Sequence, residues 1–278
     1  MSTETLPVFI VSSGRSGTAM LHKVLSAAED VEMHHEYMVH IVQPLAVKRY
    51  LGWISSAEAV SVLRDVHGAA VHYSERRIWG DSSNKLSWLI EELAQAMPAA
   101  KFVHLVRDGR KVASSYFHKL AAECYDDRST SVLAAHARDP QANPAPPPEK
   151  KYWWPLPRPE DPWAEAFLSF DQFERICWHW AEINRVILGS LAAIAPERKH
   201  FVRLEALEAD TSQVAALFGF LELPWNERYH AMFARPHNVN RPEDRLLDAR
   251  QAASFQRIAG AMFHELGYAG KPEYVVKY

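Results

Sequence analysis

Residues 6–18 read Leu-Pro-Val-Phe-Ile-Val-Ser-Ser-Gly-Arg-Ser-Gly-Thr, an apolar run that ends in a turn with two glycines. The run Leu6–Ser12 is typical of a buried parallel strand, and the apolar spacing after it predicts a helix from about Thr18 to Ala28. Glycines let successive backbone N–H groups face one anion, and the helix N-terminus adds about half a positive charge. The stretch therefore predicts a phosphate-binding loop. Taken alone, it is also compatible with a strand–helix turn that binds nothing.

Strand and helix patterns alternate along the rest of the chain. Further buried strands are predicted at Lys101–Val106 and His200–Leu204. Helices are predicted at about residues 41–70, 86–97, 108–122, 163–191, 212–219 and 250–266. This alternation predicts an α/β fold, with a P-loop-like open parallel β-sheet flanked by helices, as a single domain over residues 1–278.

Between the last two predicted strands the composition changes. Residues 140–162, here called the Pro/Trp-rich segment, hold nine of the 17 prolines together with Trp153 and Trp154. This density of proline excludes a helix or a central strand. We expect an insertion at about residues 125–165 that acts as a lid or a substrate loop. A mobile surface loop is the alternative, although the tryptophans favour a packed one.

The bulk composition excludes several classes of function. With a net charge of −3 and a pI near 6.5, the chain lacks a general basic surface for nucleic acid or membrane. Leu6–Val11 is too short for a signal peptide or a membrane span, and Cys124 and Cys177 are expected to be reduced thiols. The 14 histidines show no metal-ligand spacing. We expect a cytoplasmic protein with no metal, nucleic-acid or membrane partner.

The loop differs from the phosphate loop of nucleoside triphosphatases. That loop requires a lysine directly after its last glycine, followed by a hydroxyl residue that binds magnesium. Here Gly17 is followed by Thr18, and the cation, Arg15, precedes the second glycine. A guanidinium in that position can bind a terminal anionic group without a metal, which weakens the case for a kinase.

A second candidate anion site follows the second predicted strand. Arg107 leaves the end of that strand, and Ser115 lies about two helical turns further along. Ligands of open α/β sheets gather at the carboxyl ends of strands, so both side chains can face one phosphate. The alternative is a surface ion pair between Arg107 and Asp108, worth less than about 1 kcal/mol.

The loop sequence Arg-Ser-Gly-Thr and the later Val-Arg-Asp-Gly-Arg together resemble the sulfotransferases that use 3′-phosphoadenosine 5′-phosphosulfate (PAPS). The motif pattern is most similar to tyrosylprotein sulfotransferases and related bacterial enzymes, whereas cytosolic aryl sulfotransferases carry a lysine in place of Arg15. The resemblance implies that Arg107 and Ser115, at the family's spacing of eight, bind the 3′-phosphate. It also implies that the 5′-phosphosulfate is bound by Gly14, Arg15, Ser16, Gly17, Thr18 and Ala19.

Two further residues match the tyrosylprotein-type pattern. Glu36 follows Arg15 by 21 residues, the family's spacing for a catalytic glutamate, and Lys85 follows Asn84 in an Asn-Lys turn. The resemblance implies that Glu36 accepts the proton of the acceptor, while Arg15 and Lys85 stabilise charge on the leaving phosphate oxygen. We expect burial beside the donor's anionic groups to raise the pKa of Glu36.

Some neighbouring residues leave alternatives open. His35 and His34 are rival general bases, or else hydrogen-bonded structural residues. Lys119 lies one turn beyond Ser115 and either reaches the 3′-phosphate or belongs to a solvated helix face. Arg241 is a further candidate contact for the 3′-phosphate.

The sequence thus predicts an enzyme that transfers a sulfuryl group from PAPS to a hydroxyl or amine, with 3′-phosphoadenosine 5′-phosphate (PAP) as the second product and no metal. The expected acceptor is a small molecule or a glycan. The alternatives are a P-loop kinase acting on a nucleotide or small molecule, and a non-catalytic nucleotide-binding protein.

Overall fold

The computed structural model describes residues 5–233 and 246–273. Within them, the chain forms a five-stranded sheet with the order β2-β3-β1-β4-β5, in which every neighbouring pair is parallel. The strands are β1 (Leu6–Val11), β2 (Val31–His35), β3 (Ile78–Ser82), β4 (Lys101–Val106) and β5 (Lys199–Arg203). The predicted fold class, an open parallel sheet flanked by helices, is therefore confirmed.

The helices connect and cover these strands. The α-helices are α1 (Thr18–Ser26), α2 (Val39–Tyr50), α3 (Ser56–Leu63), α4 (Ala69–Tyr73), α5 (Ile90–Ala96), α6 (Gly109–Lys119), α7 (Asp127–Arg138), α8 (Gln172–Ala192), α9 (Leu204–Ala209), α10 (Thr211–Phe220), α11 (Glu227–Ala231) and α12 (Ala249–Glu265). A π-helical turn at Arg64–Gly68 joins α3 to α4, and short 3₁₀ turns lie at Leu86–Trp88, Lys150–Tyr152, Phe167–Ser169 and Pro196–Arg198. Of the helices in the described ranges, none is both long and apolar enough to cross a membrane.

Alternate residues of β1 enter two separate cores, as the two-residue period of a strand requires. Val8 and Ile10 pack with residues of α1 and α10 on one face of the sheet. Phe9 and Val11 pack with residues of α2, α5 and α8 on the other face. This burial on both faces explains why β1 is a continuous apolar run that the sequence reveals.

The strands β2 and β3 were not predicted, and β3 shows why. Its sequence Ile-Trp-Gly-Asp-Ser contains residues that strands disfavour, yet all five are buried. A Cβ on Gly80 would lie 2.5 Å from the Met33 sulfur and 2.9 Å from the carbonyl oxygen of Val8. The missing side chain therefore lets β2 and β1 approach β3 closely, an advantage that appears only once the sheet is assembled.

Two predicted helices are shorter than expected. The helix predicted at 163–191 begins only at Gln172, because Asp171 caps it in a reciprocal hydrogen-bond pair with Glu174. The residues before it form turns, including the one at Phe167–Ser169. The helix predicted at 86–97 is split into a 3₁₀ turn and α5, with Leu89 between them outside helical geometry.

The insertion predicted at about 125–165 is partly helical, since α7 occupies its first third. In the Pro/Trp-rich segment, Trp153 and Trp154 are buried, and they belong to the core formed with α6, α7, α8 and α12. The indole N–H groups donate to the carbonyl oxygens of Pro147 (2.8 Å) and Glu123 (2.6 Å). The segment is therefore a packed loop, as the tryptophans suggested.

The strand order places the functional motifs side by side. β1 lies between β3 and β4, so the chain crosses from one half of the sheet to the other between β3 and β4. The loops after β1 and β4 consequently leave the carboxyl edge of the sheet next to each other. Such a switch point is where open α/β sheets bind their ligands.

Candidate active site

The loop between β1 and α1 has three residues with left-handed backbone conformations. Gly14, Arg15 and Gly17 all have positive φ, at 77°, 53° and 92°. A Cβ on Gly14 would lie 2.0 Å from the Tyr116 hydroxyl oxygen, and one on Gly17 would lie 2.6 Å from Leu204 Cδ1. Both glycines are therefore required by conformation and by space.

Hydrogen bonds from neighbouring elements hold this loop in place. The Tyr116 hydroxyl, from α6, donates to the carbonyl oxygen of Ser13 (3.0 Å). The Ser87 hydroxyl accepts from the Ser12 amide and donates to its carbonyl oxygen, both at 2.9 Å. Within the loop, the Ser13 and Ser16 hydroxyls are 2.9 Å apart. The conformation is thus fixed before any ligand arrives, which is what preorganised anion binding requires.

The second predicted anion site adjoins this loop. Arg107, at the end of β4, donates from Nη1 to the carbonyl oxygen of Arg15 (3.1 Å). Arg15 in turn donates from Nε to the hydroxyl of Ser115 (3.0 Å), which projects from α6 and is buried. Arg15 therefore forms one cluster at the switch point with Arg107 and Ser115, which lie 92 and 100 residues further along the chain.

This cluster has the chemistry expected of an anion site. Arg107 Nε is buried and has no hydrogen-bond partner among the described residues, although a buried donor is normally paired. An anionic oxygen on that side would satisfy it, since guanidinium groups bind phosphate with two parallel hydrogen bonds. The residues present therefore fit a phosphate-bearing ligand.

The remaining candidates for donor binding are Thr18, Ala19, Lys119 and Arg241. Thr18 and Ala19 begin α1, and Thr18 is buried, with its carbonyl oxygen accepting from Ser82 Oγ (3.0 Å). Lys119 is the last residue of α6 and is half-buried. Among the described residues, it makes no side-chain hydrogen bond or ion pair with Arg107 or Ser115. Arg241 lies outside the described residues.

Glu36 occupies a tight turn directly after β2. Its φ is 57°, a left-handed conformation that costs about 1 kcal/mol for a residue with a Cβ. Two hydrogen bonds from β3 hold the turn: the Glu36 amide donates to the carbonyl oxygen of Ser82 (3.2 Å), and the Tyr37 amide donates to Asp81 Oδ1 (3.2 Å). Because β2 and β3 are neighbours, this turn points the Glu36 side chain over the carboxyl edge of the sheet.

The Glu36 carboxylate lies between two lysines. Lys85 Nζ is 2.5 Å from Oε1, and Lys150 Nζ contacts Oε2. Burial alone would raise the pKa of Glu36, but the two ammonium groups outweigh it and lower the pKa to about 2. Lys85 is itself buried, which lowers its pKa although Glu36 opposes the change.

The expectation that burial would raise the pKa of Glu36 is therefore wrong for this arrangement. Lys150, which lies in the Pro/Trp-rich segment, was not predicted as a site residue. Its two neighbours along the chain are a glutamate and another lysine, and nothing in that pattern distinguishes it. Only the packing of the segment against α2 and α8 brings its ammonium group to Glu36.

The two histidines before Glu36 point in different directions. His35 is exposed and hydrogen-bonds through Nδ1 to the carbonyl oxygen of Ser82 (2.8 Å). His34 pairs through Nε2 with Glu32 (2.9 Å), and its ring lies 5.0 Å from those of Tyr37 and Trp79. His34 thus has a structural environment, whereas His35 remains at the carboxyl end of β2 beside Glu36.

The ion pair of Glu36 and Lys85 adjoins the Pro/Trp-rich segment through Trp154. The Lys85 ammonium lies 5.9 Å from the centre of the Trp154 ring. Asn84, just before Lys85, donates weakly to the Tyr116 hydroxyl (3.4 Å), which also holds the phosphate loop. The loop and Glu36 therefore belong to one connected site.

Within residues 5–233 and 246–273, no group of three or more His, Cys, Asp or Glu side chains could hold a metal.

Comparison with known proteins agrees with this architecture. Residues 7–143 match the sequence model described as the sulfotransferase family. No curated protein sequence matches the chain. Among solved structures, the fold is similar to a sulfotransferase from Alicyclobacillus acidocaldarius, with 14% identity over 93% of this chain and 94% of that one and a TM-score of 0.50. It is also similar to a sulfotransferase from Mycobacterium avium, with 12% identity over 94% of this chain and 77% of that one and a TM-score of 0.53. The part of the chain that carries the phosphate loop, Glu36, Lys85, Arg107 and Ser115 therefore matches the sulfotransferase family.

Proposed function

We propose that the protein transfers a sulfuryl group from PAPS to a hydroxyl or amine of a small molecule or glycan, with Glu36 as the general base. The observation that carries the proposal is the cluster of Arg15, Arg107 and Ser115 beside a preformed phosphate loop. PAPS carries anionic groups at both its 5′ and 3′ positions, and this arrangement offers donors for both. The family match supports transferase chemistry.

On the donor side, the loop amides and the Ser16 and Thr18 hydroxyls would bind the 5′-phosphosulfate. Arg107 and Ser115 would bind the 3′-phosphate, and Lys119 and Arg241 remain candidates for the same group. The Arg15 side chain, which bonds to Ser115, lies between the two ends. Cations at these positions stabilise the charge that develops on the leaving phosphate oxygen.

On the acceptor side, Glu36 is the carboxylate that both the family's spacing and the described part of the site offer as the base. Its turn places the carboxylate beside Lys85, which we propose interacts with the bridging oxygen between sulfur and phosphate. His35, at the end of the same strand, is the secondary candidate for the base. The two buried free thiols, Cys124 and Cys177, support a reducing cytoplasmic compartment for the reaction.

Calorimetric titration with PAP and with 5′-AMP tests the donor half. The two ligands differ only in the 3′-phosphate, so we expect PAP to bind at least tenfold more tightly. Arg107→Met and Ser115→Ala should remove that preference without weakening 5′-AMP. Arg138→Met, at an exposed arginine that ends α7, is the matched control. Equal affinities for PAP and 5′-AMP in the native chain would show that the 3′-phosphate assignment is wrong.

Release of PAP from PAPS in the presence of a panel of hydroxyl and amine acceptors tests the transfer half. Glu36→Gln should abolish acceptor-dependent release while PAP binding persists. Magnesium-dependent turnover of ATP in place of PAPS would instead favour a kinase. Tight PAP binding without transfer to any acceptor would favour a binding protein.

A further inference from the structure

One residue of the Pro/Trp-rich segment reaches the reacting end of the site. Lys150 Nζ contacts Oε2 of Glu36, and Lys85 holds the other oxygen, Oε1, at 2.5 Å. The two lysines differ in their surroundings. The Lys85 side chain is only 9% exposed, whereas that of Lys150 is 37% exposed. Lys85 is therefore a fixed partner, and Lys150 is the one that solvent or a substrate can displace.

The backbone around Lys150 is anchored independently of its ammonium group. Gln43 Nε2, from α2, donates to the carbonyl oxygens of Lys150 (3.0 Å) and Trp153 (2.7 Å). Trp153 also packs beneath the ammonium group of Lys48, 5.3 Å from the ring centre. The main chain is thus held by contacts that do not involve Glu36, while the flexible four-carbon stem of Lys150 leaves its tip free to move.

The geometry has a consequence for proton transfer. Glu36 can accept a proton from an acceptor only at an oxygen that the hydroxyl can reach, within about 3 Å. Oε1 is paired with the buried Lys85, so Oε2, which is paired with the more exposed Lys150, is the oxygen that an acceptor can approach. A hydroxyl that approaches Oε2 from solvent therefore meets the Lys150 ammonium there.

We propose that Lys150 is a positioning residue that covers the proton-accepting oxygen of Glu36 until an acceptor displaces it, and thereby limits the reaction of the donor with water. This inference rests on the proposed function. In transfer, a bond forms between the acceptor oxygen and sulfur. The bond between sulfur and the bridging oxygen breaks, and its electron pair stays on PAP. The acceptor proton passes to Oε2. Water in place of the acceptor gives PAP and sulfate by the same steps.

The release of PAP from PAPS in the absence of any acceptor measures this protection directly. We expect Lys150→Met to raise the rate at least fivefold, because water gains access to Oε2. Lys150→Arg, which keeps a cation on a long stem, should restore most of the native rate. Adding Glu36→Gln to Lys150→Met should abolish the increase, because the water then has no base.

Lys151→Met is the matched control. Lys151 is the next residue, is exposed, and has its ammonium group 4.9 Å from the centre of the Tyr152 ring rather than at Glu36. Its replacement removes the same charge from the same turn and should leave acceptor-free release at the native rate. An equal increase in both variants would mean that the effect is one of general charge or loop stability, and would overturn the inference.

Titration with PAP separates this inference from the proposed function. If Lys150→Met binds PAP with native affinity and retains the native melting temperature, yet releases PAP no faster, Lys150 does not protect the donor and the inference is wrong. If the native chain does not bind PAP, the proposed function is wrong and the inference is wrong with it. Lys150→Gln, which keeps a polar tip without the charge, provides the same comparison should the methionine variant fold poorly.

Discussion

Glu36 is held as a carboxylate by the two ammonium groups beside it. Its pKa is lowered to about 2 from an ordinary value near 4.5, so its ion pairs stabilise the folded state fully above pH 4.5. That stabilisation is lost as the pH falls through 4.5 toward 2, because Glu36 then binds a proton in the unfolded chain but not yet in the folded chain. The site is therefore poised for base chemistry at neutral pH, with a weak but fully ionised base.

Replacing Glu36 with glutamine should destabilise the protein in a pH-dependent manner. Glu36→Gln removes the ion pairs and leaves Lys85 buried without a counter-charge, so we expect a loss on the order of 2 kcal/mol at neutral pH. Urea unfolding from pH 4 to pH 8 should show a constant difference from the native chain above pH 6 and a shrinking one below pH 5. Glu149→Gln, at an exposed carboxylate near the same site, should show no such trend.

Gly14 should tolerate no side chain. Gly14→Ala combines a positive φ with a Cβ 2.0 Å from the Tyr116 hydroxyl, so we expect a loss of about 2 kcal/mol or more and at least tenfold weaker PAP binding. Removing that hydroxyl with Tyr116→Phe should recover part of the loss in the double variant.

Gly189, by contrast, has room for a side chain. Gly189→Ala in α8 adds a methyl group in open space and should stabilise the protein by about 0.5–1 kcal/mol. Thermal unfolding of the native chain, Gly14→Ala, the double variant and Gly189→Ala checks the comparison.

At the scale of elements, the end of β3 positions the turn that carries Glu36. Asp81 is fully buried, and its Oδ1 accepts a hydrogen bond from the Tyr37 amide. The other carboxylate oxygen, Oδ2, lies 3.5 Å from Nε2 of the equally buried His67. His67 belongs to the π-helical turn between α3 and α4, a form of helix that is common at functional sites. β3 thus connects the Glu36 turn to the buried polar pair of Asp81 and His67.

Removing the Asp81 carboxylate should loosen that turn. Asp81→Ala leaves the Tyr37 amide without its acceptor, so hydrogen exchange in a peptide covering residues 36–38 should quicken by tenfold or more. Asp81→Asn keeps an acceptor oxygen and should quicken exchange less. PAP affinity should change less than twofold in both variants, because the described partners of the Asp81 side chain, Tyr37 and His67, lie outside the phosphate loop. Unchanged exchange in Asp81→Ala would mean that the hydrogen bond from the Glu36 amide to the Ser82 carbonyl oxygen holds the turn by itself.

At the scale of the whole molecule, the proposed donor site lies across both halves of the sheet. The phosphate loop follows β1, and Arg107 and Ser115 follow β4, so a ligand that spans both stabilises the folded state through two elements at once. At 100 times its dissociation constant, PAP should add about 2.7 kcal/mol. The melting temperature should then rise by about 5–10 °C, and 5′-AMP at the same concentration should raise it less.

Metal should not affect this stabilisation. In the proposed site Arg15, Arg107 and Lys85 supply the positive charge, so the shift in melting temperature with PAP should be the same in magnesium and in a chelator. A shift that appears only with magnesium would contradict the assignment of these side chains to the donor's anionic groups and would favour triphosphate chemistry.

The parts of the fold that were predictable are those encoded locally. β1, β4, α6 and most helix ends follow from contiguous apolar runs, capping residues and proline. β2 and β3 were missed because three of the five residues in each are polar or small, and they become strands only when β3 pairs with β1 and β2 pairs with β3. The start of α8 was misplaced because Asp171 and Glu174 form their cap well after the apolar pattern begins.

By itself, the sequence determined the strand–loop–helix unit, the family resemblance and the spacing of Arg107 and Ser115, since each depends on residues close together in the chain. Only the tertiary structure decided that Arg15 bonds to Ser115, that Asp81 holds the Glu36 turn and that Lys150 covers Glu36. These contacts join residues 44 to 114 positions apart. No local pattern encodes such distances: they arise when the parallel sheet brings its strand ends to one edge and the Pro/Trp-rich segment packs beside them.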